Sequence, residues 1–336
     1  MAAEVVPRAT RPAPSRRRRI ALEHLQAYLL VLPALLFLGL FDIIPAFAAF
    51  AMSLTRWSIV YERFAGLDNY RAILDPGGAR FAEFMNSLGV TLWYVAITVP
   101  VEMAISLVVA FVLFQRVAGR GAYRTVYFLP YITSVVAAAV VFEWIFDLNY
   151  GFLNWVIGTI GIGPQDWLRE PEGLFRLVGS AFGVELGGAL AGPSLSLVAV
   201  GIFTIWHFIG FQVVVFMAGL GNISREYYEA ARIDGASERQ IFTRITLPLL
   251  SPTTFFVLIL ATIGAMRAFG QIYVLTNGGP LDTTRTVSML IFRTFFERTG
   301  TNGIGLGAAM SFILVLIILA ITLVQFRVVG RRVHYE

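Results

Sequence analysis

The chain has 336 residues, 57% of them hydrophobic and 14% charged, with a formal net charge of +5 and a mean hydropathy of +0.73. Soluble domains carry about 45–50% apolar and about 25% charged residues, so a water-soluble globular protein is excluded and an all-α integral membrane protein is expected. Cysteine is absent, which excludes disulfides, thiolate metal sites and cysteine nucleophiles; lysine is absent too, so every basic side chain apart from histidine is arginine.

Residues 1–25, with Pro12, Pro14 and the arginines at 16–19, predict a flexible, basic, cytoplasmic tail. The apolar run that follows is too long for a cleaved signal peptide and shows no clear cleavage site, so it reads as a retained first span. About 20 apolar residues cross roughly 30 Å of hydrocarbon. Six runs reach that length, at about 27–52, 89–114, 126–146, 195–220, 252–275 and 304–326. They predict helices, since lipid offers backbone groups no partners and the runs lack the alternation of barrel strands.

Orientation follows from arginine in short loops. Arg116, Arg120 and Arg124 link spans two and three; Arg225, Arg232, Arg239 and Arg244 lie between spans four and five; Arg327, Arg331 and Arg332 follow span six. With six spans these fall on the side of the basic tail, and both termini are cytoplasmic. The same placement at the edges of apolar runs explains the basic charge by topology rather than by nucleic-acid binding. Opposite loops mix arginine with Glu62, Asp68, Glu83, Asp166, Glu170 and Asp282. The longest of them, 147–194, holds Trp155 and Trp167. Its apolar part, 174–190, is interrupted by Arg176, Glu185 and four glycines. A central arginine costs about 2.5–3.5 kcal/mol, so this part reads as an outer subdomain or interfacial helix, not a seventh span.

Between spans four and five lies a charged island, 222–251. Ser224 is an N-cap candidate, with Glu226 in the first turn where the helix dipole favours an acid. Gly235 supplies a permissive turn. A second helix from Ser237 places Ile241, Phe242 and Ile245 on one apolar face. Pro248 is expected to stop it, and Ser251-Pro252 to cap and start span five. The expectation is a helix-turn-helix on the cytoplasmic membrane face, with Ala230 and Ala231 leaving its outer side low enough for another protein.

Glu229-Ala230-Ala231, Asp234-Gly235-Ala236, Ile245 and Leu247-Pro248 resemble the EAA motif of permease subunits of bacterial ABC importers. Gly219-Leu220, Phe128-Leu129-Pro130, Gly66-Leu67-Asp68-Asn69-Tyr70 and the stretch from Tyr273 to Pro280 are similar to the maltose-like and glycerol-phosphate-like branch. The resemblance runs from about residue 30 to the C-terminus. It implies a type I ABC importer permease fold over 26–336, in the bacterial cytoplasmic membrane. It also implies docking of Glu229, Ala230, Ala231, Asp234, Gly235 and Ala236 on a cytoplasmic ATPase. The implied partners are a second permease, two ATPase subunits, an extracytoplasmic substrate-binding protein and membrane lipid. The chain departs from the family in its long loop before span four, and it lacks the extra N-terminal pair of eight-span maltose-like subunits.

A Walker A loop needs lysine on the β/γ-phosphates, so ATP and Mg belong to the partner and no cofactor is expected on this chain. Neither paired acid/base residues nor a nucleophile motif is visible, so it is not expected to be an enzyme. Ionisable and polar residues inside spans are functional candidates. Glu102, His207, Gln212, Arg267 and Gln271, with the aromatic Phe269, form the candidate substrate path. Arg267 either meets sugar hydroxyls or an anionic group, or pairs with Glu102 or a partner helix. His207 has no second histidine nearby, His24 and His334 being terminal, so it reads as a hydrogen-bonded packing residue or part of the path rather than a metal ligand. Glycines 210, 219, 264, 305 and 307 are expected to let helices approach closely. The rival reading, an ion-coupled secondary transporter, has only Glu102 and Arg267 in its favour.

Overall fold

The computed structural model describes residues 16–57, 60–114, 119–297 and 302–333. Pro12, Pro14, Arg116 and His334 lie outside them. The chain divides into two compact units, 1–52 and 53–336.

In the first unit, α1 (Arg16–Leu38) runs into a π-turn over Gly39–Ile43 and then α2 (Ile44–Ser53). Pro45 has no N–H for the Phe41 carbonyl and its ring crowds that oxygen. The turn before it widens, and the Ile44 N–H reaches back to the Gly39 carbonyl. The helix already begins at Arg16, so 16–25 is helical where the sequence reading expected a flexible tail.

The second unit opens with a hairpin, β1 (Thr55–Trp57) antiparallel to β2 (Tyr61–Phe64), and α3 (Asp68–Leu74). Asn69, buried, holds them together. Its Nδ2 donates to the carbonyls of Ser53 (2.8 Å) and Thr55 (2.9 Å), and its Oδ1 accepts from Asn302 Nδ2 at 2.7 Å. Helix α4 (Ala79–Phe114) starts ten residues before the apolar run and passes through Pro100.

Span three is not one helix. α5 (Arg120–Ile132) and α6 (Val135–Ile145) meet at 99°. Pro130 lies in the last turn of α5, and Thr133 Oγ1 donates to the Pro130 carbonyl at 2.6 Å while Thr133 and Ser134 turn extended. Helices α7 (Phe152–Gly158) and α8 (Leu174–Ala181) follow. At eight residues α8 is about 12 Å long, too short to cross a membrane, so no seventh span forms there. Helix α9 (Leu195–Gly221) matches its predicted bounds and is capped by Ser194.

Helices α10 (Arg225–Ile233), α11 (Glu238–Ile241) and α12 (Leu247–Leu249) make up the charged island. Span five is also broken, into α13 (Ser251–Met266) and α14 (Gly270–Leu275). The Ala268 carbonyl freed by that break accepts from Thr286 Oγ1 at 3.0 Å. Non-helical backbone at membrane depth survives only where such partners or a cavity receive it. The loop after α14 is fastened by Arg285, which pairs with Glu83 of α4 at 3.4 Å and with Asp282 at 3.0 Å. Helices α15 (Val287–Phe296) and α16 (Gly303–Val328) complete the chain.

Among the described residues, four helices are long and apolar enough to cross a membrane: His24–Ser53, Ala79–Phe114, Leu195–Gly221 and Gly303–Val328. Counting each bent helix pair as one span raises the number to six. The second unit buries three apolar clusters, one around Tyr94, Phe142, Phe146 and Phe203, one around Phe84, Met266 and Met310, and one around Leu113, Phe216 and Leu250. Four of the predicted small-residue contacts are real: a Cβ at Gly210 would strike the Tyr127 carbonyl, at Gly219 Thr253, at Gly305 the Thr55 carbonyl, and at Gly307 the Phe295 ring. Gly264 differs, because a Cβ there would meet nothing within 4 Å.

Candidate functional site: a cavity between broken helices and a helix-turn-helix

A cavity of about 460 Å³ opens between α4, α5, α9, α13 and α14. Gly264 faces it, which explains the empty space at that glycine. Both helix breaks border it: Tyr131 stands at the end of α5, and Arg267 and Phe269 lie between α13 and α14. Gly270, at the start of α14, is packed on Val135, at the start of α6, so the two breaks adjoin. Broken helices around a midplane cavity are a recurring way to present polar groups inside a membrane.

The polar wall is built from two bonded sets. Gln212 Nε2 donates to Glu102 Oε1 at 2.6 Å, joining α9 to α4. Gln271 Nε2 donates to Tyr94 Oη at 2.8 Å, and Tyr94 Oη lies 2.6 Å from Thr204 Oγ1. Because Thr204 gives its own hydrogen to the Val200 carbonyl at 2.9 Å, Tyr94 must donate to Thr204, so the chain runs Gln271 to Tyr94 to Thr204. This set ties the short α14 to α4 and α9. One buried acceptor remains over: Gln212 Oε1 has no partner. The aromatic wall includes Tyr131 stacked on Phe211, with centroids 5.1 Å apart and planes at 27°, and also Phe208 and Phe269.

The fold thus brings Glu102, Gln212, Arg267, Phe269 and Gln271 to one cavity. His207 is not among its lining residues. It packs between Phe203 (5.6 Å) and Phe208 (4.8 Å), and its Nδ1 is buried without a partner, so the expected hydrogen-bonded packing is half corrected. Arg267 is not the buried partner of Glu102. The Glu102 carboxyl instead accepts from Gln212, and Arg267 sits exposed at the C-terminal end of α13, where the helix dipole favours a cation. Tyr94, Thr204 and Tyr131 were missed by sequence reasoning: hydroxyls in spans two, three and four look like ordinary packing until α14 folds against them.

The helix-turn-helix forms as its caps dictate. Ser224 Oγ accepts from the Glu226 N–H, and Ser237 and Gln240 form a reciprocal capping box. Gly235 takes φ +75°, while the Ala236 N–H closes on the Ala231 carbonyl at 2.9 Å, a Schellman-type ending. Arg232 bridges the turn to Glu238 at 3.2 Å. Phe242 packs on Phe111 of α4 at 4.7 Å.

Three local expectations change. Pro248 does not stop the second helix: it sits inside α12, and the backbone upstream widens into a π-turn over Phe242–Thr246. Ser251 does not cap α13; its Oγ donates to the Pro248 carbonyl at 2.6 Å. Ala231 is buried and faces inward, whereas Glu229, Ala230, Asp234 and Gly235 are exposed. The apolar knob at the turn is Ile233, 86% exposed, which the sequence reading passed over because it matches neither apolar face.

The trehalose/maltose transport system permease protein MalF of Thermococcus litoralis is 34% identical over 303 residues, covering 90% of this chain and 92% of that protein. The sn-glycerol-3-phosphate transport system permease protein UgpA of Agrobacterium fabrum is 32% identical over 311 residues, covering 92% and 96%. A solved chain of a bacterial alginate ABC transporter, in complex with alginate pentasaccharide-bound periplasmic protein, shares the fold. Its TM-score is 0.73 at 19% identity, over 93% of this chain and 96% of that one. Residues 102–334, well over half of the chain, match the family described as binding-protein-dependent transport system inner membrane component, and the chain belongs to that family.

Proposed function

We propose that this chain is one of two permease subunits forming the membrane path of an ATP-driven importer for a sugar, oligosaccharide or polyol-phosphate. The observation that carries the reading is the cavity, which joins a stacked aromatic pair to a hydrogen-bonding wall. A carbohydrate offers both halves of that match. Its C–H face packs on Tyr131 and Phe211. Its hydroxyls accept from the second Nε2 hydrogen of Gln271 or from Arg267. The trehalose/maltose and sn-glycerol-3-phosphate named for MalF and UgpA support the same class. Membership of a binding-protein-dependent family speaks against the ion-coupled alternative.

In this reading six spans cross the cytoplasmic membrane of a bacterium with both termini inside, in the type I permease arrangement. A binding protein delivers substrate on the far side. Glu229, Ala230, Asp234, Gly235 and Ala236, with Ile233 added, meet the ATPase; Ala231 holds the turn closed from within. Two ATPase subunits bind ATP and Mg, for which this lysine-free chain has no Walker A loop.

Reconstituted with its partners, the transporter should take up substrate only with ATP and binding protein, and collapsing ion gradients should not matter. Uptake that follows a proton or sodium gradient without ATP would sink the assignment. Gly235→Val forces a β-branched residue into φ +75°. It should abolish ATP-driven uptake while the cavity still binds substrate; normal uptake would remove the turn from the coupling role.

A further inference from the structure

The stretch after α6 has a character that the transport reading does not use. From Leu148 to Gln165 no charged residue occurs, yet much of it is exposed. Tyr150 is 90%, Phe152 60% and Trp155 67% exposed, with Val156 and Ile160 beside them. On α7, Phe152, Trp155 and Val156 lie at i, i+3 and i+4, so they share one face. Phe152 and Trp155 are stacked at 5.8 Å. The opposite face is anchored. Asn154 is buried, its Nδ2 donates to the carbonyls of Asp147, Leu148 and Gln165, and its Oδ1 accepts from the Gln165 N–H and from Trp167 Nε1.

The position of this helix is set by two constraints. The chain leaves α6 at Ile145 and turns back at once: Asp147 Oδ1 accepts from the N–H groups of Asn149 and Tyr150, both at 2.8 Å. Gly151 closes that turn where any Cβ would strike the Asp147 carbonyl. The segment held by Asn154 continues to Glu170 and Glu172, whose carbonyls accept from Ser196 Oγ and from the Leu195 N–H at the first turn of α9. At 27 residues α9 is about 40 Å long, close to the full thickness of a bilayer with its headgroups. α7 is thereby tethered, through Asn154, Gln165 and the segment 170–172, to the end of a helix long enough to span.

We propose that α7 is an in-plane membrane anchor, with Tyr150, Phe152, Trp155 and Val156 seated in the boundary between headgroups and acyl chains. Lipid is the occupant because the face is uncharged, is rich in the amphipathic rings that collect at this boundary, and is tethered to the end of a helix long enough to span. Trp144, 73% exposed on the last turn of α6, extends the aromatic band. The charged residues Asp166, Arg169, Glu170 and Glu172 begin only where the chain turns back to α9. The anchor holds the loop that caps α9 at a fixed height, next to the cavity helices.

The absence of cysteine makes the test direct. In the full transporter, with cysteine-free partners and reconstituted in phospholipid, Trp155→Cys and Val156→Cys would each carry one nitroxide label; Gly163→Cys serves as a reference. Labels at 155 and 156 should collide more with dissolved oxygen than with a water-soluble nickel chelate, the reverse of 163. Nickel accessibility equal to that at 163 would place the face in water and overturn the proposal. Shielding from both reagents, with or without binding protein, would assign the face to a protein partner and overturn it equally. Should Trp155→Cys fail to assemble, Val156→Cys decides alone, since its smaller side chain leaves the stacked pair intact.

Discussion

Replacing Gln212 by leucine tests the polar wall of the cavity where the accounting is cleanest. Gln212 and Glu102 are 3% and 5% exposed, and the bond between them is 2.6 Å. Removing the donor leaves a buried carboxyl short of a partner, at a cost of about 1–3 kcal/mol. Bonds between helices within a membrane protein have averaged about 0.6 kcal/mol with a maximum near 1.7 kcal/mol, so the lower half of that range applies. Leucine also removes Gln212 Oε1, an acceptor that is already unpartnered, which offsets part of the loss. The expected net destabilisation is about 1 kcal/mol. Glu102→Leu alone should cost about the same, because it strands the Gln212 amide. The double variant removes both groups and should lie near the wild type, giving a coupling of about 1–2 kcal/mol. Reversible unfolding of the four proteins in mixed micelles measures that coupling. Additivity of the two single changes within about 0.3 kcal/mol would refute the bond as an energetic link. Uptake is the second readout: the double variant should fold yet lose transport, and wild-type uptake would take the pair out of the substrate path.

Three further outcomes are expected. Gly264→Phe meets no atom within 4 Å at its Cβ and enters the cavity, so it should block uptake without lowering the unfolding midpoint; a matching loss of stability would show the space is not open. Arg285→Met removes a guanidinium, 10% exposed, from Glu83 and Asp282. It should destabilise the chain by about 3 kcal/mol in the same unfolding assay, and a change below about 1 kcal/mol would show that the bridge behaves as a surface pair. Asp147 is held below its ordinary value of 3.8 by the backbone N–H groups of Tyr150 and Asn149, and next by the charge of Arg169. A depressed carboxylate adds stability above its unfolded value and loses it as pH falls through the folded value. The ordering of a label at 163 should therefore weaken below pH 3.8 in the wild type, and in Asp147→Asn it should not change over that range.

Much of the architecture was legible because membrane solvation is a blunt constraint. A run of apolar residues long enough to cross the bilayer has to be helical, so α9 and α16 fall almost where the hydropathy puts them. The helix-turn-helix was legible for a different reason: Ser224, Ser237, Gln240 and Gly235 act on backbone groups within a few residues, and such local chemistry reads directly from the order of residues. The breaks in spans three and five were not legible. Pro130 and Thr133 hint at the first; at the second only Gly264 and Gly270 flank Arg267, and glycines are frequent in membrane helices that stay whole. That backbone opens because Thr286, eighteen residues away, accepts the role of partner to the Ala268 carbonyl.

Sequence alone determined the membrane class, the long apolar helices and the turn at Gly235, since each depends on composition or on neighbours along the chain. Tertiary structure decided which polar residues share a cavity. Glu102 meets Gln212 and Tyr94 meets Gln271 only because α4 packs against α9 and α14 folds back on both, while His207, one turn from Phe203 and in the same span as Gln212, is turned into the packing instead. Side chains 110 and 177 positions apart carry no signal of their meeting in the order of residues; burial, which leaves each polar group in search of a partner, brings them together.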